Sequence, residues 1–357
     1  MNGNGTAAHS IYEVIDMTRP YVNLTSRNRI QDFQNEISRR LNDFTSLDGV
    51  IGITLNGGLS RGYGDELSEI DLVFYLDPCS YKLWSDGQSP LPLGITRIGD
   101  YLYDIKILDP GEEQQKQWDS VALWDLSYAR ILYDPAGRIA LLMDAKLADP
   151  PRRLQAEGPL FQCWWYFRLA GDIWIHRGDA VQGHAMLNKA AIQLIEALFT
   201  ANREYVPHEK WLIHFSRSLA WTPPDWEARL LAIMGTGDFS RQSLITRQAA
   251  IEQVWEEIDA YIISMERPEY KLNVMHVTFY DLLKLLLTED LLLVTEWTKH
   301  ISLSVLSGEP FIRFASVQQD HIIVDKEKLL TLNPEELYSW HSAIVKQLLA
   351  EIRNGVL

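Results

Sequence analysis

Two carboxylates, Glu69 and Asp71, stand two residues apart at the entrance to the apolar run Ile70–Leu76. Side chains alternate along an extended strand, so both acids are expected on one face. A second apolar run, Tyr101–Leu108, carries a single acid at Asp104. If the two runs pair side by side, three carboxylates converge. Asp100 and Asp109 flank the second run, and strand register alone separates them from Asp104. Three acids that close repel one another unless a cation neutralises them. Hard carboxylate oxygens select Mg²⁺, which binds few protein carboxylates together with substrate phosphates. With two ions about 3.5–4 Å apart, Glu69 and Asp71 can bridge both, while Asp104 holds the ion that activates an incoming hydroxyl. The pattern points to in-line attack on the α-phosphate of a nucleoside triphosphate.

The segment upstream fits the same chemistry. Val50–Leu55 reads as a strand, and Gly57-Gly58 after it permits a tight turn with backbone close to phosphate. A helix starting there would turn its first amides toward anionic oxygens. Ser60 and Arg61 fall in its first turn, where a hydroxyl and a guanidinium are expected to meet the β- and γ-phosphates. No Gly-Lys-Ser/Thr comes after it, so this is not a Walker loop.

Gly57-Gly58, Arg61-Gly62, Asp65 and Ser68-Glu69-Ile70-Asp71-Leu72 together resemble the signature of the polymerase-beta-type nucleotidyltransferase superfamily. The chain looks like its small-molecule branch, which includes the aminoglycoside and lincosamide nucleotidyltransferases. The resemblance covers roughly residues 50–110 and, more loosely, 160–215. It implies an α+β chain, a small mixed-sheet catalytic domain followed by a mainly helical one. Two positions depart from the pattern: Gly57-Gly58 replaces the usual glycine-serine, and Glu69 replaces the first aspartate of the pair. Ser60 is the candidate to restore the lost hydroxyl, and glutamate keeps the metal-binding charge.

The 357 residues suffice for two domains, and 46% hydrophobic with 23% charged residues is ordinary globular composition. A formal net charge of −15 with no basic block argues against extended nucleic-acid binding, which needs cations to replace condensed counterions. An acidic surface instead attracts a cationic small molecule. Cys79 and Cys163 lack metal-ligand spacing, which makes a reduced, cytoplasmic setting the default. The opening residues Met1 to Thr6 show no basic start followed by an apolar core, so no secretory signal is expected. The apolar tract from Asp281 to Thr298 is interrupted by Lys284, Glu289, Asp290 and Glu296 and cannot span a membrane.

The elements that must position the acids are legible in outline. Ile30, Phe33, Ile37, Leu41 and Phe44 define an amphipathic helix over 26–46. Pro78, Pro90 and Pro92 mark a loop-rich insertion expected to border the site. A helix, a short strand at 130–133 and another helix complete a catalytic domain over 1–150, ended by Pro150-Pro151. Residues 151–357 form the helical domain, with long helical patterns at 159–177, 180–204, 208–219 and 238–265. From about 266 a distinct tail is expected: a leucine-rich helix near 280–305, two strands at 311–317 and 321–324, and a terminal helix from Asn333. That tail can complete the bundle, cover the pocket or make an oligomer contact.

In the helical half, Arg177-Gly178-Asp179, Leu187 to Ala191 and Asn202 to Trp211 also resemble the small nucleotidyltransferases. Lys189, midway along an otherwise apolar helix, and Lys210 beside Trp211 are candidates to reach the triphosphate; the plainer alternative is a lysine snorkelling at a helix edge. Trp164, Trp165 and Trp174 read as helical core ahead of a ring-binding platform. His176, His184, His208 and His214 have no zinc spacing. Asp104 is the natural base for the acceptor hydroxyl. The resemblance implies a separate glutamate in some relatives, for which Glu112 and Glu113 stand nearby. The expected activity is transfer of a nucleoside monophosphate, AMP from ATP or another triphosphate, to a hydroxyl of a small molecule such as an aminoglycoside-like antibiotic. Two readings compete with it: AMPylation of a protein hydroxyl, as in toxin-antidote systems, and a nucleotide-binding relative whose site is spent.

Overall fold

The computed structural model describes residues 24–289, 291–337 and 339–356, apart from the side chains of residues 339 and 340. The N-terminal stretch read for a secretory signal lies outside the described residues. The fold is α+β, and the chain forms two compact units: Met1–Pro151 with Glu204–Thr222, and Arg152–Arg203 with Pro223–Leu357. Residues 204–222, read from sequence with the helical half, thus belong to the first unit.

That first unit is built on strands β1 (Val50–Leu55), β2 (Ile70–Leu76), β3 (Gly94–Ile98), β4 (Tyr101–Leu108) and β5 (Arg130–Tyr133). They form one mixed sheet in the order β3-β4-β2-β1-β5, in which only β2 and β4 run parallel. β2 lies at the centre and every residue of it except Asp71 is buried. A strand covered on both faces needs apolar residues throughout, which is why it reads as a continuous run instead of an alternating one. The stretch after β2, read as loop-rich, contains a short helix at Pro78–Leu83 and the edge strand β3.

The helix Ile30–Thr45 buries Phe33, Ile37 and Phe44 in the same cluster as Phe74, Trp84 and Tyr103. Burying each such side chain contributes roughly 1.5–3 kcal/mol. Its one buried acid, Glu36, accepts hydrogen bonds from Arg39 Nη2 at 2.6 Å, Arg40 Nε at 2.5 Å and Tyr103 Oη at 3.2 Å. Burial opposes the charge, yet these three donors together hold the carboxyl below its usual range. The helix is thereby tied to β4, the strand that carries Asp104. On the other side of the sheet, Val73 and Tyr75 pack with Ile139 and Leu142 of the helix Arg138–Leu147.

The second unit is mainly helical. Its longest helices are Ala180–Ala201 and Arg241–Glu266, joined by Trp226–Met234 and Val274–Glu289. The Trp226–Met234 helix has no counterpart in the sequence reading. The leucine-rich tract leaves the helical path at 289, because Leu291–Leu293 (β6) pairs with His321–Val324 (β8), which also pairs with Ala315–Gln318 (β7). Strand pairing there overrides helical periodicity. Trp164 and Trp174 are half-buried and Trp165 is exposed, so the core expected of them is made instead by Leu160, Cys163 and Phe167. No helix among the described residues is long and apolar enough to cross a membrane. Both cysteines are free, Cys79 exposed and Cys163 buried.

Asp259 joins two of these helices. From Arg241–Glu266 it accepts a 2.6 Å hydrogen bond from the backbone N–H of Val274, the first residue of the helix Val274–Glu289. This satisfies one of the four amides a helix start leaves unpaired. Burial, with Glu256 nearby, pushes the Asp259 carboxyl up to about 7. The folded state therefore holds a proton that the unfolded chain releases above about pH 4, so this group's stabilisation declines as pH rises toward 7. Asp259→Asn keeps the acceptor oxygen and removes the titration. Denaturant titrations at pH 5 and pH 8 should show the wild type losing more stability than Asp259→Asn, by an amount on the order of a few kcal/mol. Equal losses in the two proteins would contradict this assignment.

Candidate metal and nucleotide site

Register in the central sheet decides which acids meet. In the parallel pair β2–β4, Asp71 stands directly opposite Asp104. The flanking candidates are excluded: Asp100 is exposed in the turn before β4, and Asp109 caps the helix Pro110–Gln115 by accepting from Gly111 N at 2.7 Å. Glu69 enters from the residue preceding β2. One carboxylate oxygen from each of Glu69, Asp71 and Asp104 lies within 4.8 Å of the others.

The turn from β1 fixes Asp71 from a second side. Asn56 N donates to Asp71 O at 2.9 Å, extending the ladder by one bond. Gly57 then adopts φ +66°, and a Cβ built on it would stand 1.9 Å from Asp71 Oδ2. Glycine is demanded twice here, by the left-handed backbone and by the carboxylate pressed against it. The short helix expected after the glycine turn is a single turn, Gly57–Ser60, with Arg61 as its C-cap.

Charge is unbalanced at this point. Burial, reinforced by the negative charge of Glu69, pushes the Asp71 carboxyl up to about 7; Lys106 opposes the rise and Asp104 adds to it. Lys106 lies two residues beyond Asp104 on the same face of β4, with Nζ 3.0 Å from Asp104 Oδ2. Burial works against its charge, but the bond to Asp104 prevails and holds the ammonium above its ordinary range. All three acids offer hard oxygens, and their mutual repulsion is what a divalent cation relieves. This donor set fits Mg²⁺ and does not suit a soft thiophilic metal.

The acids open onto a cavity of about 740 Å³ formed wholly within the first unit. That is in the range of small-molecule sites. Gly57, Gly58, Asp65 and Ser68 line one part of it, and Asp119, Asp125, His208, Lys210 and Trp211 another. Residues 78–100 do not contribute, so the insertion expected to border the site lies elsewhere.

Several expected phosphate ligands take other positions. Ser60 is buried, donates to Gly57 O at 2.8 Å and does not line the cavity. Its hydroxyl closes the turn and does not replace the missing serine. Arg61 lines the cavity, but its side chain is only 1% exposed. The guanidinium lies 3.9 Å from the Trp124 ring centroid and donates from Nη2 to Asp125 Oδ1 at 3.0 Å. Asn56 Nδ2 donates to the other Asp125 oxygen at 2.9 Å, and Asn56 Oδ1 accepts from Thr54 Oγ1 at 2.7 Å. Arg61 thus anchors Asp125 to the turn, where the sequence suggested direct contact with phosphate. Lys210 is exposed in the cavity with Nζ 5.6 Å from the Trp211 ring centroid. Lys189 belongs to the second unit, exposed, with Nζ 5.4 Å from the Tyr166 ring centroid. Neither glutamate suggested as base lines the cavity; Glu113 accepts from the Trp118 indole at 2.8 Å and Glu112 is exposed.

Lys106 and Asp125 are the residues the sequence reading missed. Lys106 had a signal, since strand period two places residue 106 beside residue 104. Asp125 had none locally, because its partners Arg61 and Asn56 are 64 and 69 residues away.

No protein-family model matches the chain, and no curated protein matches it. Among solved structures, the chain is similar to the crystal structure of a nucleotidyltransferase-like protein from Exiguobacterium sibiricum 255-15. That likeness covers 66% of this chain and 80% of the other, with 12% sequence identity and a TM-score of 0.37. Identity at that level leaves the site to be judged by its own residues.

Gly57→Ala tests the crowding at Asp71. The substitution should cost about 1–2 kcal/mol of stability for the left-handed backbone. Displacement of Asp71 should weaken Mn²⁺ binding at least tenfold by electron paramagnetic resonance. Unchanged Mn²⁺ binding in a folded Gly57→Ala protein would contradict the described geometry.

Proposed function

We propose that the chain is a metal-dependent nucleotidyltransferase that moves AMP from ATP to a hydroxyl of a small, cationic acceptor and releases pyrophosphate. The observation that carries this reading is the register of Asp71 against Asp104, with Glu69 alongside, at the glycine turn and the mouth of the cavity. An exposed edge strand with alternating acids would not have this form, since β2 is central and Asp71 is its only residue outside the core.

Glu69, Asp71 and Asp104 would hold Mg²⁺, which when bound supplies positive charge at the α-phosphate and eases deprotonation of the acceptor hydroxyl. The backbone of Gly57 and Gly58 leaves room for the phosphates to approach. Lys210 supplies a mobile cation on the same cavity. Asp104 orients the acceptor hydroxyl and takes its proton as the oxygen attacks the α-phosphorus. The bond from that phosphorus to the bridging oxygen of the β-phosphate breaks, and pyrophosphate leaves. Asp119, capping the helix Ser120–Tyr128, and Asp125 on that helix add carboxylates to the same cavity, Asp125 with its charge partly offset by Arg61 and close enough to act on Asp71. Such a wall suits an ammonium-bearing acceptor. Arg61 and Asn56 keep Asp125 in place.

Asp71→Asn separates chemistry from folding. It removes a carboxylate from a crowded cluster while preserving shape, so the variant should melt no lower than the wild type in metal-free buffer. Pyrophosphate release from ATP and Mg²⁺ with pooled aminoglycosides should fall by three orders of magnitude or more, on the scale expected when a group that stabilises the transferring phosphoryl is lost. Turnover near the wild-type rate in Asp71→Asn would refute the assignment.

A further inference from the structure

We propose that Lys106 is a built-in counter-ion of the carboxylate cluster, which it yields to metal and then carries its charge to the triphosphate. The proposal rests on the nucleotidyltransferase reading and adds a residue that controls how the site loads. Three observations support it. Lys106 Nζ already sits 3.0 Å from Asp104 Oδ2, so one of the three ligand acids is neutralised by the chain itself. The lysine side chain is 64% exposed whereas Asp104 is 15% exposed, so the cation can swing away while the acid stays fixed in the sheet. Both line the cavity, and β4 places them on one face two residues apart, about 7 Å along the strand.

The physical consequence is a competition. An ammonium and a divalent cation cannot both sit at full charge against Asp104 at hydrogen-bonding distance without repelling each other. With ATP present the balance changes, because the phosphates bring negative charge to the cavity. The displaced ammonium, on a flexible four-carbon stem, then pairs with a phosphate oxygen. Lys106 should therefore weaken binding of metal alone and strengthen binding of metal with nucleotide. Opposite signs in the two measurements distinguish this device from a lysine that merely stabilises the fold or binds phosphate.

The test compares wild type, Lys106→Met, Lys210→Met and Asp71→Asn. Mn²⁺ affinity is measured by electron paramagnetic resonance, and affinity for the non-cleavable analogue α,β-methylene-ATP is measured by calorimetry at saturating Mn²⁺. Lys106→Met is expected to bind Mn²⁺ alone about tenfold more tightly than wild type and the analogue about tenfold more weakly, as loss of one close unit charge implies. Lys210→Met should leave binding of Mn²⁺ alone unchanged. Metal affinity in Lys106→Met equal to or below that of wild type overturns the proposal. Tighter metal binding with undiminished analogue affinity overturns the hand-over to phosphate. If wild type binds Mn²⁺ and Asp71→Asn does not, either failure belongs to Lys106 alone and the nucleotidyltransferase reading stands. If neither wild type nor Lys106→Met binds Mn²⁺, both fall.

Discussion

Like charges forced together are the constraint on which the rest of the first unit depends. A carboxylate moved from water toward a crowded, half-buried position resists ionisation, and Asp71 does so with two further acids in reach. The chain tolerates this because the acids are fixed by backbone, and backbone register is hard to relax. Asp71 and Asp104 are opposite one another in a central parallel pair, and slipping either strand by one residue would turn its acid toward the cluster of Phe74 and Tyr103 and off the face the two acids share. The burial that gives the sheet its stability therefore also holds the acids in place. Strain of this kind persists where the surrounding structure over-determines it, and it is characteristic of sites that await a charged ligand.

Around that cluster the chain's other polar interactions supply rigidity. The Gly57 turn presses backbone against Asp71. Arg61, stacked on Trp124 and bonded to Asp125, links the turn to the helix Ser120–Tyr128, with Asp125 64 residues further on. Glu36, held by Arg39 and Arg40 of its own helix, accepts from Tyr103 and so attaches the first helix to β4. Lys106 is the exception, a long exposed side chain paired with Asp104.

Much of this was legible in the sequence, for definite reasons. Glu69 and Asp71 stand at period two at the entrance to one apolar strand, and Asp104 interrupts another, so the clustered acids were visible as acids set at or in apolar runs. The glycine turn was visible because φ above zero is nearly a glycine property. Arg61 and Ser60 were harder: the motif fixes their positions along the chain but not where their side chains find partners. Arg61 turned inward because Trp124 and Asp125 were there to receive it, and nothing near residue 61 announces them. The segment 204–222 and the strand β6 were missed for a related reason, since pairing with distant parts of the chain decided both against their local pattern.

The central claim is that the three acids bind a nucleoside triphosphate through a divalent cation. Melting temperatures of the wild type with ATP, GTP, CTP and UTP, each with and without Mg²⁺, test it most directly, because a ligand that binds the folded state alone must raise the midpoint. The account predicts a shift for at least one nucleotide that requires Mg²⁺ and disappears on chelation. No Mg²⁺-dependent shift with any of the four would contradict it.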